Sequence, residues 1–329
     1  MSESRTVPLK SGLVAVATRD SQIFLGSACY LAIVSQMQER ALVDPYQHLL
    51  VVDNSGITAH PQTNNQTQFN LTVIYEPQVG IPFARNAVLS FAQANDFDWV
   101  AFLDDDVIPA NSWLEEMIYA LTQGDCDAIQ GSWLFSYEEN YPRYLPRMAA
   151  SNWVGNENLR TASTRNVIFK MQKVIESGTR FNNALVELGG SDTEFFMALN
   201  NSGFKIGSTS GGLVNESIIG DRATLKWHLR RKIRTDQTWF HAVEKFGVLP
   251  EENPNLNSSS LLNLQRVWRK LFSPSSLFVT NKHGQVMILP QLALLPVTAL
   301  SFILLKTGIR VREYKSPKAT SVVSMGQTH

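Results

Sequence analysis

Three consecutive aspartates, Asp104, Asp105 and Asp106, follow an apolar run at residues 98–103 (DWVAFL). Adjacent carboxylates repel one another, and desolvating them without partners is costly. A divalent cation supplies what the triplet lacks, because Mg2+ and Mn2+ take hard oxygen ligands and share them with substrate phosphates. The same triplet also reads as a solvated turn ahead of a helix. A second acidic position, Asp192, lies far downstream behind Gly189 and Gly190. Glycines ahead of a helix let backbone approach a ligand closely. The competing reading is capping: an acidic residue in the first turn complements the helix dipole, and Ser191 with Glu194 has capping-box spacing.

The elements that must position these groups are legible from hydrophobic patterning. Residues 13–18 (LVAVAT), 49–52 (LLVV), 71–75 (LTVIY) and 98–103 read as buried strands, with helices expected over 23–39 and 83–94. Arg19-Asp20, Asp53 and the triplet each stop a strand. The alternation points to a mostly parallel sheet with helices on both faces, an α/β fold whose ligands sit beyond the carboxyl ends of the strands. Those charged residues are therefore expected on one edge. Further on, Ser112 with Glu115 has capping-box spacing for a helix to about residue 122. Strands are expected at 127–135, 166–171, 204–208 and 213–218, a helix at 191–201, and a loop-rich acceptor or lid region at 136–165.

The bulk numbers set bounds. Lys plus Arg equals Asp plus Glu at 29 each, and a neutral chain argues against a general nucleic-acid binder. Two cysteines, Cys29 and Cys126, are too few for a disulfide framework or a cysteine-based zinc site. The first residues, MSESRTVPLK, carry no apolar run behind their charges and do not read as a signal peptide.

Taken in order, VAVATRD (14–20), VVDNSG (51–56), GIPFARN (80–86), AFLDDDVIP (101–109), GGSDTEFFMALNNSGFKIG (189–207), VNES (214–217) and KWHLRR (226–231) resemble the family 2 glycosyltransferases of the GT-A fold. Within that family they are most similar to bacterial exopolysaccharide enzymes of the succinoglycan glucosyltransferase type. The resemblance covers roughly residues 10–240. It implies that Thr18, Arg19 and Asp53 cradle the nucleotide, that Arg85 holds the donor side of the cleft, and that Asp104, Asp105 and Asp106 form the DXD-type donor site. Asp106 and Asp104 would carry Mn2+ or Mg2+. Asp192 matches the family's general base, Asn166 an asparagine near the sugar, and Trp227 with nearby arginines such as Arg230 an element closing over the donor. Ser191 stands where the family has Glu, which leaves Glu194 as a second candidate base. Asn215 stands where relatives present a metal-binding His, with His228 and His241 as nearby substitutes.

The implied chemistry is single displacement. A metal offsets charge on the leaving nucleotide while a carboxylate on the opposite face takes the acceptor hydroxyl proton, which predicts inversion. A nucleotidyltransferase is a competing class, but residues 18–27 (TRDSQIFLGS) lack its Gly-rich, basic loop. A non-catalytic sugar-nucleotide-binding component of a polysaccharide assembly is a third reading.

Two regions are expected: a catalytic domain at 1–245 and a membrane-associating helical region at 246–329. Residues 284–305 (GQVMILPQLALLPVTALSFILL) are uncharged and long enough to span a bilayer, but Pro290 and Pro296 interrupt them and both flanks are basic. A re-entrant or in-plane element is expected, with 261–272 (LLNLQRVWRKLF) lying on the membrane surface. The location expected is the cytoplasmic face of the cell membrane, where a soluble nucleotide sugar meets a saccharide or polyprenyl-linked acceptor.

Overall fold

A computed structural model of the chain describes residues 11–44, 46–64, 69–151 and 158–247, the single positions 153 and 155, and, further on, 278–280, 286–288 and scattered positions from 297 to 309. The first half runs β1 (Gly12–Thr18), α1 (Ser21–Leu25), α2 (Ala28–Ala41), β2 (Gln47–Asp53), β3 (Gln62–Asn64), β4 (Asn70–Tyr75), α3 (Ile81–Ala94), β5 (Trp99–Asp104), β6 (Val107–Pro109) and α4 (Trp113–Gln123). It continues with β7 (Ala128–Gln130), β8 (Trp133–Tyr137), β9 (Asn166–Lys170), α5 (Met171–Ser177), α6 (Ser191–Asn201), β10 (Ile206–Ser208), β11 (Val214–Ile218) and α7 (Leu225–Phe246).

The central sheet has eight strands in the order β10-β7-β9-β5-β1-β2-β4-β3. β9 and β3 are antiparallel to their neighbours, and the remaining pairings are parallel. Alternation along the central strands explains the layering. Val14, Val16, Leu49, Val51, Ala101 and Leu103 face a core shared with α2 and α4. Leu13, Ala15, Leu50, Val52, Val100 and Phe102 face the opposite core, shared with α3, α5 and α6. Burying a Leu, Val or Phe side chain contributes about 1.5–3 kcal/mol, so a strand apolar on both sides is held from both faces. A smaller sheet, β6-β11-β8, stands beside the main one.

Several local expectations are corrected. The helix expected over 23–39 breaks at Gly26-Ser27, where the Ser27 hydroxyl caps a new helix by accepting from Tyr30 N at 3.1 Å. The single strand expected over 127–135 is two, β7 in the main sheet and β8 in the small one. Neither capping box forms. Ser112 donates instead to Glu116 at 2.9 Å, and Glu115 pairs with Arg40 at 2.8 Å. Ser191 lies inside the first turn of α6, whose cap is Gly190 in the left-handed region at φ 76°.

Most of the expected 246–329 region, including 261–272 and the larger part of 284–305, lies outside the described residues. Among the described residues no helix is long and apolar enough to cross a membrane. Its described end touches α7, where Gln237 Nε2 donates to the Ile309 carbonyl at 3.1 Å and Lys306 lies 3.5 Å from Glu244.

Candidate active site

The parallel strands all end at one edge of the main sheet, and a cavity of about 590 Å3 opens there. β1 delivers Thr18 and Arg19, β5 delivers Asp104, and the tight β5–β6 turn delivers Asp105 and Asp106. Arg85 reaches in from α3, Ser163 and Arg165 from the segment before β9, and Asp192 from the first turn of α6. Glu216 on β11 and Trp227, Arg231, Arg234 and Thr238 on α7 complete the wall.

The acidic side is crowded and compensated. Burial raises the Asp104 carboxyl, Arg85 pulls it down, and Asp106 raises it again, leaving it pushed up to about 7. Asp192 and Arg165 bear on it as well, so the second acidic position lies within electrostatic reach of the triplet. Burial also raises Asp105, against a hydrogen bond from Thr18. Asp106 accepts from Arg222 Nη2, while Arg222 Nη1 donates to Glu216 at 2.8 Å. Beneath the turn, the Cys29 thiol donates to the Asp104 carbonyl at 3.8 Å. Burial and the three neighbouring aspartates push that thiol up to about 12, leaving an inert apolar residue.

Asp192 lines the same cavity; its Oδ2 accepts from Ser163 Oγ at 3.2 Å and its Oδ1 accepts from Thr193 N at 2.8 Å. The preceding residue, Ser191, accepts from Arg85 Nη1 at 3.0 Å. Gly190 is required here. A Cβ at this position would fall 2.1 Å from the Thr238 side chain, on a backbone that L residues rarely adopt. The close approach seats α6, and with it Asp192, against α7.

The cation wall was only partly anticipated. Arg230, expected at the site, is exposed and does not line the cavity. Trp227, Arg231, Arg234 and Thr238 do, at the i, i+4, i+7, i+11 spacing of one helical face. Arg231 stacks 5.1 Å from the Trp227 ring centre. Burial, then Arg165, Arg234 and Arg222, loosen its hold on its proton, the signature of cations gathered where an anion belongs. That periodicity was the signal available to find Arg231 and Arg234. Ser163, Arg165 and Glu216 carried no comparable signal, because their partners are remote in the chain.

Other expected residues are placed away from the cavity. Asn166 is fully buried: Oδ1 accepts from Trp113 Nε1 at 2.8 Å, and Nδ2 donates to the Ser132 and Gly212 carbonyls at 2.8 and 2.7 Å. Asp53 is buried and does not line the cavity, accepting from Ser21 N and Ser55 N at 2.9 and 3.0 Å. Burial opposes its ionisation, but the hydrogen bonds from Ser21 and Ser55 outweigh it and hold the carboxyl below its usual range. Glu194 turns away to meet His241 at 2.8 Å, Lys245 at 2.7 Å and Asn182 at 2.8 Å, so it anchors α7. His228 bonds Tyr141 at 2.7 Å, and Asn215 bonds Ser136 at 3.0 Å. None of His228, His241 and Asn215 lines the cavity.

Among the described residues no group of three or more His, Cys, Asp or Glu side chains is arranged to hold a metal. The oxygen-only pair Asp104 and Asp106 still fits Mg2+ or Mn2+, which take one or two carboxylates and draw remaining ligands from phosphates and water.

Comparison with known proteins agrees with this architecture. Over 174 residues the chain is 28% identical to the succinoglycan biosynthesis protein ExoM of Rhizobium meliloti (strain 1021), a match covering 52% of this chain and 55% of that protein. The chain thus spans about half the length of that relative. The crystal structure of S. aureus TarS 1-349 in complex with UDP-GlcNAc superposes with a TM-score of 0.51 at 12% identity, over 74% of this chain and 69% of that one, a likeness of fold. The main sheet is thus GT-A-like. The model for glycosyl transferase family 2 matches residues 29–182, the stretch that contains β2, β5 and the aspartate triplet, and by this match and that relative the chain resembles the family 2 glycosyltransferases, the exopolysaccharide enzymes among them.

Proposed function

We propose that this chain is an inverting glycosyltransferase that moves a hexose from a UDP-sugar to a saccharide or lipid-linked saccharide acceptor in exopolysaccharide assembly. The observation that carries the reading is a single cavity lined by Asp104 to Asp106, by Asp192 and by Arg165, Arg231 and Arg234.

The donor diphosphate suits the wall formed by Arg165, Arg231 and Arg234, since guanidinium forks pair with phosphate oxygens. Asp106 and Asp104 would hold Mn2+ or Mg2+, which would offset the charge developing on the departing nucleoside diphosphate. Asp192 accepts the proton of the acceptor hydroxyl as that oxygen bonds to the anomeric carbon. The bond to the diphosphate breaks and its electron pair leaves with UDP. Ser163 and Thr193 N fix the Asp192 carboxylate, so the base is oriented before the acceptor arrives. With the base opposite the leaving group, no covalent sugar–enzyme intermediate is needed, and the anomeric configuration inverts.

The purified chain should release UDP from a UDP-hexose only with Mn2+ or Mg2+ present, and NMR of the product should show the opposite anomer. Asp192→Asn should lower kcat about 10²- to 10⁴-fold while UDP affinity stays within twofold by calorimetry. Full turnover in that variant, or a retained anomer, removes the mechanism. On this reading the reaction belongs at the cytoplasmic face of the cell membrane, supported by the uncharged stretch 284–305. Flotation of the full chain with anionic vesicles checks that part, and recovery only in the soluble fraction contradicts it.

A further inference from the structure

We propose that Arg222 is a diphosphate-binding residue that serves, until the donor arrives, as the counter-cation of Asp106. The inference rests on the functional reading above and deepens it.

Arg222 lies in the short turn Gly220–Ala223 that leads into α7. The two ends of its guanidinium have unequal partners. Nη1 donates to Glu216 Oε1 at 2.8 Å. Glu216 is 3% exposed and also meets Arg165 Nε at 3.2 Å, so this end is held by a carboxylate that cannot leave. Nη2 donates to Asp106, whose side chain is 36% exposed on the cavity rim. One end is an anchor and the other is exchangeable.

The position is a charge boundary. Arg222 bears electrostatically on Asp105 and Asp106 and also on Arg231, which lines the cavity with Arg165 and Arg234. With the cavity free of donor, Arg222 offsets one charge of the acidic triplet, which would otherwise repel itself. A divalent cation seeking Asp106 must displace the guanidinium. A diphosphate lowers that cost, because its oxygens can accept from the released Nη2 while Nη1 stays on Glu216. Nucleotide and cation therefore favour each other's binding beyond their own direct attraction, and the coupling is reciprocal.

The test uses Mn2+ alone, followed by electron paramagnetic resonance, and UDP alone in EDTA, followed by calorimetry. Both are applied to the full chain and to Arg222→Gln, with thermal denaturation to confirm folding. The variant should bind Mn2+ at least about fivefold tighter and UDP at least about fivefold weaker, the scale of losing one partly exposed ion pair. Opposite directions are the signature. Unchanged or weaker Mn2+ binding in the folded variant overturns the proposal, as does unchanged UDP binding. Arg222→Lys, which keeps the charge but cannot bond both carboxylates, must shift Mn2+ affinity the same way and serves if the glutamine variant does not fold. If the unmodified chain binds no UDP with or without Mn2+, the functional reading itself fails. If it binds UDP, and Asp106→Asn loses Mn2+ while Arg222 variants do not change it, only this inference fails.

Discussion

Arg85 donates to Ser191 Oγ at 3.0 Å and its other terminal nitrogen lies 3.9 Å from Asp104. One guanidinium from α3 thus ties the first turn of α6 to the acidic turn after β5. The family places a glutamate before its base, and a glutamate here would draw Arg85 away from Asp104. The serine accepts one hydrogen bond and leaves the rest of the cation to the aspartate. Ser191→Ala should cost about 1–3 kcal/mol of stability, the range for a buried hydrogen bond to a charged group. A double-mutant cycle with Arg85→Ala in urea should return a coupling above about 0.5 kcal/mol. Additive single effects would refute the tie.

Arg231 and Arg230 are adjacent in sequence but about 100° apart around α7. Arg231→Ala should raise the donor KM about tenfold or more, the effect of removing a charged partner from a phosphate. Arg230→Ala should leave it within twofold. Steady-state kinetics with a UDP-hexose separates the two, and equal effects would contradict the assigned helical face.

Asn166→Ala removes three hydrogen bonds from a side chain with no solvent exposure. It leaves Trp113 Nε1 and two carbonyls without that partner, at a cost of roughly 2–4 kcal/mol. The melting temperature should fall by several degrees while the donor KM stays within twofold. A KM effect without loss of stability would return Asn166 to the sugar-binding role its motif implies.

Glu194 supplies a pH dependence. Its burial disfavours the charge, but hydrogen bonds from Lys245, His241 and Asn182 outweigh that and hold its carboxyl below the usual range. The unfolded chain binds the proton more tightly, so this group stabilises the fold above its unfolded pKa of about 4.3. The contribution is lost as pH falls through the lower folded value. Glu194→Gln should be destabilised at pH 7, by about 1–3 kcal/mol, and the gap to the parent should be narrower at about pH 3, below the unfolded pKa. Denaturation at both pH values measures it, and a gap constant with pH would exclude the ionised carboxylate as its source.

Much of this protein was fixed by short-range pattern. Apolar runs such as LVAVAT and DWVAFL become the buried strands β1 and β5 because their neighbours along the chain decide that burial. Their stopping residues, Arg19 and Asp104 to Asp106, reach one sheet edge because parallel strands end together. Asp192 was singled out by the resemblance of its segment to the family's, since two glycines and a helix start read equally as capping. What the sequence left open depended on partners far along the chain. Asn166 finds Trp113, 53 residues away; Arg85 finds Ser191, 106 away; and Arg222 finds Asp106, 116 away. A polar side chain is compatible with a buried bond, a cavity wall or solvent until packing supplies its surroundings. Only the folded chain therefore decided that Asn166 and Glu194 brace the structure, and that Arg231 rather than Arg230 faces the cavity.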